Sequence, residues 1–146
     1  MDLQTQQLVT GVNRAVIKFR GVYSAWSKRH DISYNEMLVF YTIRDEGFCT
    51  QKQICDSYLL PRQTMNHVFA KLRADGILQE VPELGQGREK AFVLSEKGTA
   101  YAGPLMESLN RLEEKAAKQM GHEKIRAMTD LVQEYDRFLT MALEEE

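Results

Sequence analysis

The sequence holds only two cysteines, three prolines and one tryptophan, and it has no long apolar run. Cys49 and Cys55 have no second pair to complete a zinc site and no secretory context to favour a disulfide, so they read as structural thiols. No stretch approaches the roughly 18 apolar residues of a membrane span, and the start Met1-Asp-Leu-Gln-Thr-Gln-Gln carries no basic or apolar signal. A cytoplasmic protein is expected, with no membrane partner. The three histidines, His30, His67 and His122, are scattered, and there is no His-Glu-x-x-His, no phosphate-cradling glycine loop and no nucleophile elbow. Neither an enzyme nor a bound metal or cofactor is expected. The net charge of −2 argues against a protein that coats nucleic acid indiscriminately. It leaves room for site-specific binding, where only the contacting face must be basic.

What is present is a chain of 146 residues, 43% hydrophobic and 27% charged, long enough to bury about 70% of its unfolded surface. Leu8, Val12, Ala15, Val16, Phe19, Val22, Tyr23 and Trp26 recur at helical steps and predict one long amphipathic helix over the first thirty residues. A stripe of that length packs against a partner helix, from this chain or from a second copy. Ser33 with Glu36 forms a capping box for a helix that Gly47 stops, and Thr50 with Gln53 forms another for a short helix from Gln51 to Asp56 or Ser57. A further helix opens with Pro61 in its first turn and closes at Asp75-Gly76. Ile77 to Val81 and Ala91 to Leu94 read as a hairpin, with Gly85 and Gly87 supplying backbone freedom at its tip. Ser95 caps a helix that Pro104 should kink, or whose hydrogen-bond ladder it should break locally, and the last helix carries another apolar stripe, from Ile125 to Ala142.

That order, short helix, turn, helix and hairpin, is what a winged helix-turn-helix requires. The expected fold is mainly α with a small β-hairpin wing. On the helix after the turn, Met65, Val68, Phe69 and Leu72 share one arc, while Arg62, Gln63, Asn66, His67, Lys71 and Arg73 lie opposite. The polar side suits the major groove: Gln63 and Asn66 can pair bidentately with adenine, and Arg62 can serve guanine or phosphate. Arg88, at the hairpin tip, suits the minor groove.

These residues resemble the MarR (multiple antibiotic resistance regulator) family of winged helix-turn-helix transcription factors. The likeness is strongest over Leu60-Pro-Arg-Gln-Thr-Met-Asn-His-Val-Phe-Ala-Lys-Leu-Arg-Ala-Asp-Gly76, similar to the family's recognition helix, and from Arg88 to Leu94-Ser95-Glu-Lys-Gly98, similar to its wing. Gln86 stands where the family has Asp, which removes a carboxylate that would brace the wing, and Ser95 stands where Thr is usual. The resemblance implies a homodimer, with residues 1–30 and 96–146 as the dimerisation region and 31–95 as the DNA-binding region. It implies a repressor of a palindromic double-stranded DNA site, reading bases with Gln63, Thr64, Asn66 and His67 and anchoring backbone or minor groove with Arg62, Lys71, Arg88 and Lys90.

The resemblance also implies release by a small aromatic or amphipathic effector, in a cleft that Phe19, Tyr23, Trp26, Met37 and Tyr41 would line. Two other readings stand beside this one. A winged-helix module can bind protein without binding DNA, since fold does not fix function. Alternatively, the thiols could make the chain a redox-sensing regulator.

Overall fold

A computed structural model describes residues 1–146 in full. The elements run α1 (Leu3–Arg29), α2 (Tyr34–Glu46), β1 (Cys49–Thr50), α3 (Gln51–Tyr58), α4 (Arg62–Ala74), β2 (Leu78–Glu80), β3 (Ala91–Leu94), α5 (Glu96–Met120) and α6 (His122–Glu144), with a 3-10 turn at Pro82–Leu84. The fold class is the expected one, helices around a small β wing. The chain divides into two compact units, Met1–Met106 and Glu107–Glu146, with the boundary inside α5. No helix is long and apolar enough to cross a membrane.

Capping chemistry sets the helix starts. Glu36 N–H donates to Ser33 Oγ at 3.0 Å while Ser33 N–H donates to Glu36 Oε2 at 3.1 Å, and Thr50 and Gln53 repeat the exchange at 3.0 and 2.7 Å. Each box pairs N–H groups that a helix start leaves without partners. The short α3 runs slightly past its expected end, to Tyr58, and closes on Leu59, a left-handed residue at φ 52° that is 89% exposed. Pro61 stands just outside α4, at its N-cap, rather than in the first turn, and no side chain caps that helix. Its extended ψ of 138° turns the chain into α4 without entering it. As expected, the ladder of α5 is broken locally at Pro104, which has no N–H to donate, while the helix continues to Met120.

The sheet contains a strand that sequence periodicity does not reveal. β3 lies in the centre, antiparallel to both neighbours, with Cys49 opposite Phe92 on one side and Leu78 opposite Leu94 on the other. β1 is two residues long, too short to show a period of two, and exists because β3 offers it an edge. Beneath the sheet lies the core of the first unit, where Met37, Val39, Phe40, Ile54, Met65, Phe69, Leu72 and Phe92 are all at most 2% exposed. Phe69 meets Phe92 edge-on, with ring centroids 5.3 Å apart, and seats α4 on the sheet. Such a pair adds about 0.5–1.5 kcal/mol beyond its buried area.

The first turn of α5 lies backbone to backbone on the chain leaving α4. Ser95 Oγ accepts the Gly98 N–H at 2.9 Å, and Ser95 N–H donates to Ile77 O at 2.9 Å. A Cβ at Gly98 would fall 2.0 Å from Ile77 O. Gly98→Ala should therefore destabilise the fold by about 1–3 kcal/mol or more, because backbone has to move to admit the methyl. Urea unfolding checks this, and an unchanged midpoint would contradict the close packing.

Candidate nucleic-acid interface and apolar cavity

The polar face of α4 has the composition expected of it. Met65, Phe69 and Leu72 are buried and Val68 half-buried, whereas Arg62, Gln63, Asn66, His67, Lys71 and Arg73 are exposed and Thr64 is half-buried. Gln63, Asn66 and His67 make no hydrogen bond or ion pair within the chain, so their donors and acceptors are uncommitted. The two cations at the ends of this face are committed. Lys71 Nζ donates to Glu36 Oε1 at 2.6 Å, and Arg62 Nη2 donates to both carboxylate oxygens of Glu89 at 2.8 and 2.7 Å. A phosphate contact by Lys71 therefore competes with an existing partner, which distant sequence neighbours cannot disclose.

The wing closes on a tight turn. Gln86 and Glu89 exchange backbone hydrogen bonds of 3.0 and 2.9 Å, leaving Gly87 and Arg88 as the two tip residues. Gly87, at φ 59°, supplies the left-handed residue that such a hairpin needs. Gly85 serves differently from the expectation: its φ is an ordinary −69°, and its lack of a Cβ matters because one would sit 3.0 Å from Glu89 O. Arg88 is exposed at the tip, as expected, and Lys90 lies at the base, 3.8 Å from Glu80.

Between α4 and the wing runs a polar cavity of about 240 Å³ lined by Gln51, Arg62, Asn66, Arg73, Arg88, Glu89, Lys90 and Phe92. Four cations face one carboxylate there, which makes the surface locally positive on a chain of net charge −2. Arg73 and Gln51 are members that sequence reasoning left out. Arg73 was readable as polar-face, but its place over the Phe92 ring, at 5.1 Å, depends on tertiary packing.

Glu89 is the carboxylate that ties the wing to the helices. Besides holding Arg62, it accepts the Lys52 backbone N–H at 3.0 Å, so the wing is tied to the starts of both α3 and α4. The Arg62 hydrogen bond holds the Glu89 carboxyl below the usual glutamate range, against an opposing push from burial.

A second cavity, apolar and about 220 Å³, lies against α1, α2 and α3. It is lined by Phe19, Tyr23, Met37 and Tyr41, four of the five residues singled out for an effector, together with Arg20, Tyr34, Leu38 and Tyr58. Trp26 does not belong to it. Trp26 is 6% exposed and stacks on His30 at 4.5 Å, one turn beyond the cavity's α1 residues. Arg20 Nη2 donates to the Tyr34 hydroxyl at 3.0 Å, and Tyr23 packs edge-on to Tyr41 at 6.4 Å. Burial raises the Tyr58 hydroxyl above the usual tyrosine range, while a hydrogen bond with Thr42 pulls it down.

The thiols offer little nucleophile. Cys49 is fully buried in β1, and burial pushes its pKa up to about 12. Cys55 is half-buried rather than part of the core, and burial raises its pKa too, against a smaller lowering by Arg62.

Among solved structures, the chain is similar over its whole length to a MarR family regulator from Neisseria meningitidis, with 30% identity, a TM-score of 0.79 and 100% of each chain covered. NadR in complex with 4-hydroxyphenylacetate matches with a TM-score of 0.70 and 13% identity, over 86% of this chain and 89% of that one. Reduced AbfR bound to DNA matches with a TM-score of 0.70 and 16% identity, over 95% and 99%. These last two likenesses are of fold. No family model matches the chain, and no curated protein does.

A carboxyl held below its unfolded pKa adds stability that is fully present above the ordinary glutamate range and is lost as pH falls through the lower folded value. Glu89→Gln removes this contribution. From about pH 5 to about pH 3 the urea midpoint of the wild type should fall further than that of Glu89→Gln. Parallel acid limbs would show that the Arg62 pair contributes nothing.

Proposed function

The chain belongs to the MarR family of transcriptional regulators, and on that premise we propose that it is a cytoplasmic, homodimeric repressor that binds a palindromic double-stranded DNA operator and is released by a small aromatic ligand. The observation that carries this reading is the uncommitted trio Gln63, Asn66 and His67 on the exposed face of α4, flanked by a positive cavity and an arginine-tipped wing. A surface helix stabilised only by solvation has no need of that flanking charge. Gln63 and Asn66 lie in the first turns of α4, which is the part of a recognition helix that meets base edges. The lack of a capping side chain there leaves backbone N–H groups suited to a phosphate.

Dimerisation accounts for the apolar surface on the terminal helices, each considered alone. α1 exposes Leu3, Leu8 and Ile17 at 65–69%, and α6 exposes Leu131, Phe138, Leu139 and Met141 at 51–66%. Covering such faces with the helices of a second copy, residues 1–30 and 96–146 in each, removes apolar area from water at about 25 cal/mol per Å². A two-fold pair would set its recognition helices roughly 34 Å apart, one turn of duplex.

For the ligand, the cavity of Phe19, Tyr23, Met37 and Tyr41 offers apolar walls with Arg20 and tyrosine hydroxyls at hand, a combination that suits an aromatic acid. The complex of NadR with 4-hydroxyphenylacetate supplies a precedent within the same fold. An aromatic acid should raise the melting temperature of the wild type and leave that of Arg20→Ala unchanged. An equal rise in both would remove Arg20 from the site.

Duplexes selected from a random pool test the DNA reading. Asn66→Ala should cost about 1–3 kcal/mol on the selected duplex and relax base preference at one position per half-site. Equal losses on selected and random DNA would count against base reading, and failure of the wild type to bind any duplex would favour the protein-interaction module.

A further inference from the structure

The cavity between α4 and the wing holds cations that no carboxylate answers. Arg62 is paired with Glu89, and Lys90 lies 3.8 Å from Glu80, whereas Arg73 and Arg88 are exposed and pair with no acid. Glu89 is already bound by Arg62 and by the Lys52 N–H. The Arg73 side chain makes no hydrogen bond or ion pair, and its guanidinium lies over the Phe92 ring, 5.1 Å from the centroid. A ring face holds a guanidinium in place without using its N–H donors, so they remain for a ligand. A cation in the last turn of a helix suits the macrodipole, and a long stem can cover an aromatic ring. Neither use accounts for a second unpaired arginine across the same cavity.

Helical spacing puts Arg62, Asn66, Phe69 and Arg73 within one arc of about 60°. Phe69 meets Phe92 of the sheet, and the other three line the cavity with Arg88, Glu89 and Lys90, so this edge of α4 looks at the wing. Gln63 and His67 lie farther round the helix. In a duplex the major groove and the neighbouring minor groove share one sugar–phosphate strand as their common wall. A helix seated in the first and a wing in the second straddle that strand, and the cleft between them is where its phosphates pass.

We propose that the cavity between α4 and the wing seats one phosphodiester of that strand, and that Arg73, from the last turn of α4, grips it. This rests on the DNA-binding function above and deepens it. Arg73 acts on the backbone, so it adds affinity to every sequence alike and fixes how α4 and the wing sit on the duplex.

The test uses the full chain and two duplexes, one selected from a random pool by the wild type and one of scrambled sequence. Arg73→Met keeps a long stem for Phe92 and removes the charge. It should weaken both duplexes about tenfold or more, leave the ratio between them unchanged within about twofold, and lower the salt slope by about one unit per subunit. A scan of the selected duplex with neutral methylphosphonate linkages should find one phosphate per half-site whose neutralisation weakens the wild type and costs Arg73→Met nothing further. Arg73→Gln takes the place of Arg73→Met if the urea midpoint shows that the latter folds poorly. Inorganic phosphate should displace the duplex no more than chloride of equal ionic strength.

An unchanged salt slope in Arg73→Met would overturn the proposal. So would a loss confined to the selected duplex, because Arg73 would then read bases, and so would a methylphosphonate scan identical in the wild type and Arg73→Met. Inorganic phosphate that displaces the duplex beyond the chloride control, and raises the melting temperature of the wild type but not of Arg73→Met, would give the cavity to a free anion instead. A wild type that binds no duplex overturns the parent function, a result distinct from all of these.

Discussion

The contact between Phe69 and Phe92 orients everything that faces outward from the winged unit. Phe69 lies on the inner face of α4 and Phe92 in the central strand, both at most 2% exposed with centroids 5.3 Å apart. Because helical side chains recur every 3.6 residues, fixing Phe69 against the sheet fixes the azimuth of Gln63, Asn66 and His67 on the other side. The Phe92 ring also carries the Arg73 guanidinium, 5.1 Å from its centroid, and β3 follows the wing tip that presents Arg88. One aromatic pair thus sets the helix, the groove and the wing in a common frame.

Charge refines that frame. Two carboxylates hold α4, Glu36 through Lys71 at 2.6 Å and Glu89 through Arg62 at 2.7 Å. Their lysine and arginine partners are 64% and 52% exposed, so neither bridge counts for much in stability. Their value is directional. Glu36 is also half of the capping box of α2, and Glu89 also accepts from the first turn of α3, so each carboxylate couples the recognition helix to a second element.

Much of this was legible in the sequence because local chemistry decides it. The Ser33–Glu36 and Thr50–Gln53 boxes fixed two helix starts, and the apolar arc of α4 named its buried face. What escaped was long-range. β1 is two residues that become a strand only beside β3, and the partners of Arg62 and Lys71 lie 27 and 35 residues away. Four of the five residues named for an effector cleft, aromatic or Met side chains of α1 and α2, do line the cavity, yet Tyr58 arrives from α3, and Trp26 is core. Gln86 suggested a loose wing, whereas Glu89, three residues further on, is tied to Lys52 and Arg62, partners that only the fold brings to it.

The central claim is that the outer face of α4 and the wing together meet duplex DNA. Hydrogen exchange of the backbone, with and without a duplex selected by the protein, tests it most directly. The account predicts slowed exchange concentrated at the first turns of α4 and at residues 86–90, with little change across α2. Protection absent from both segments, or confined to other helices, would contradict it.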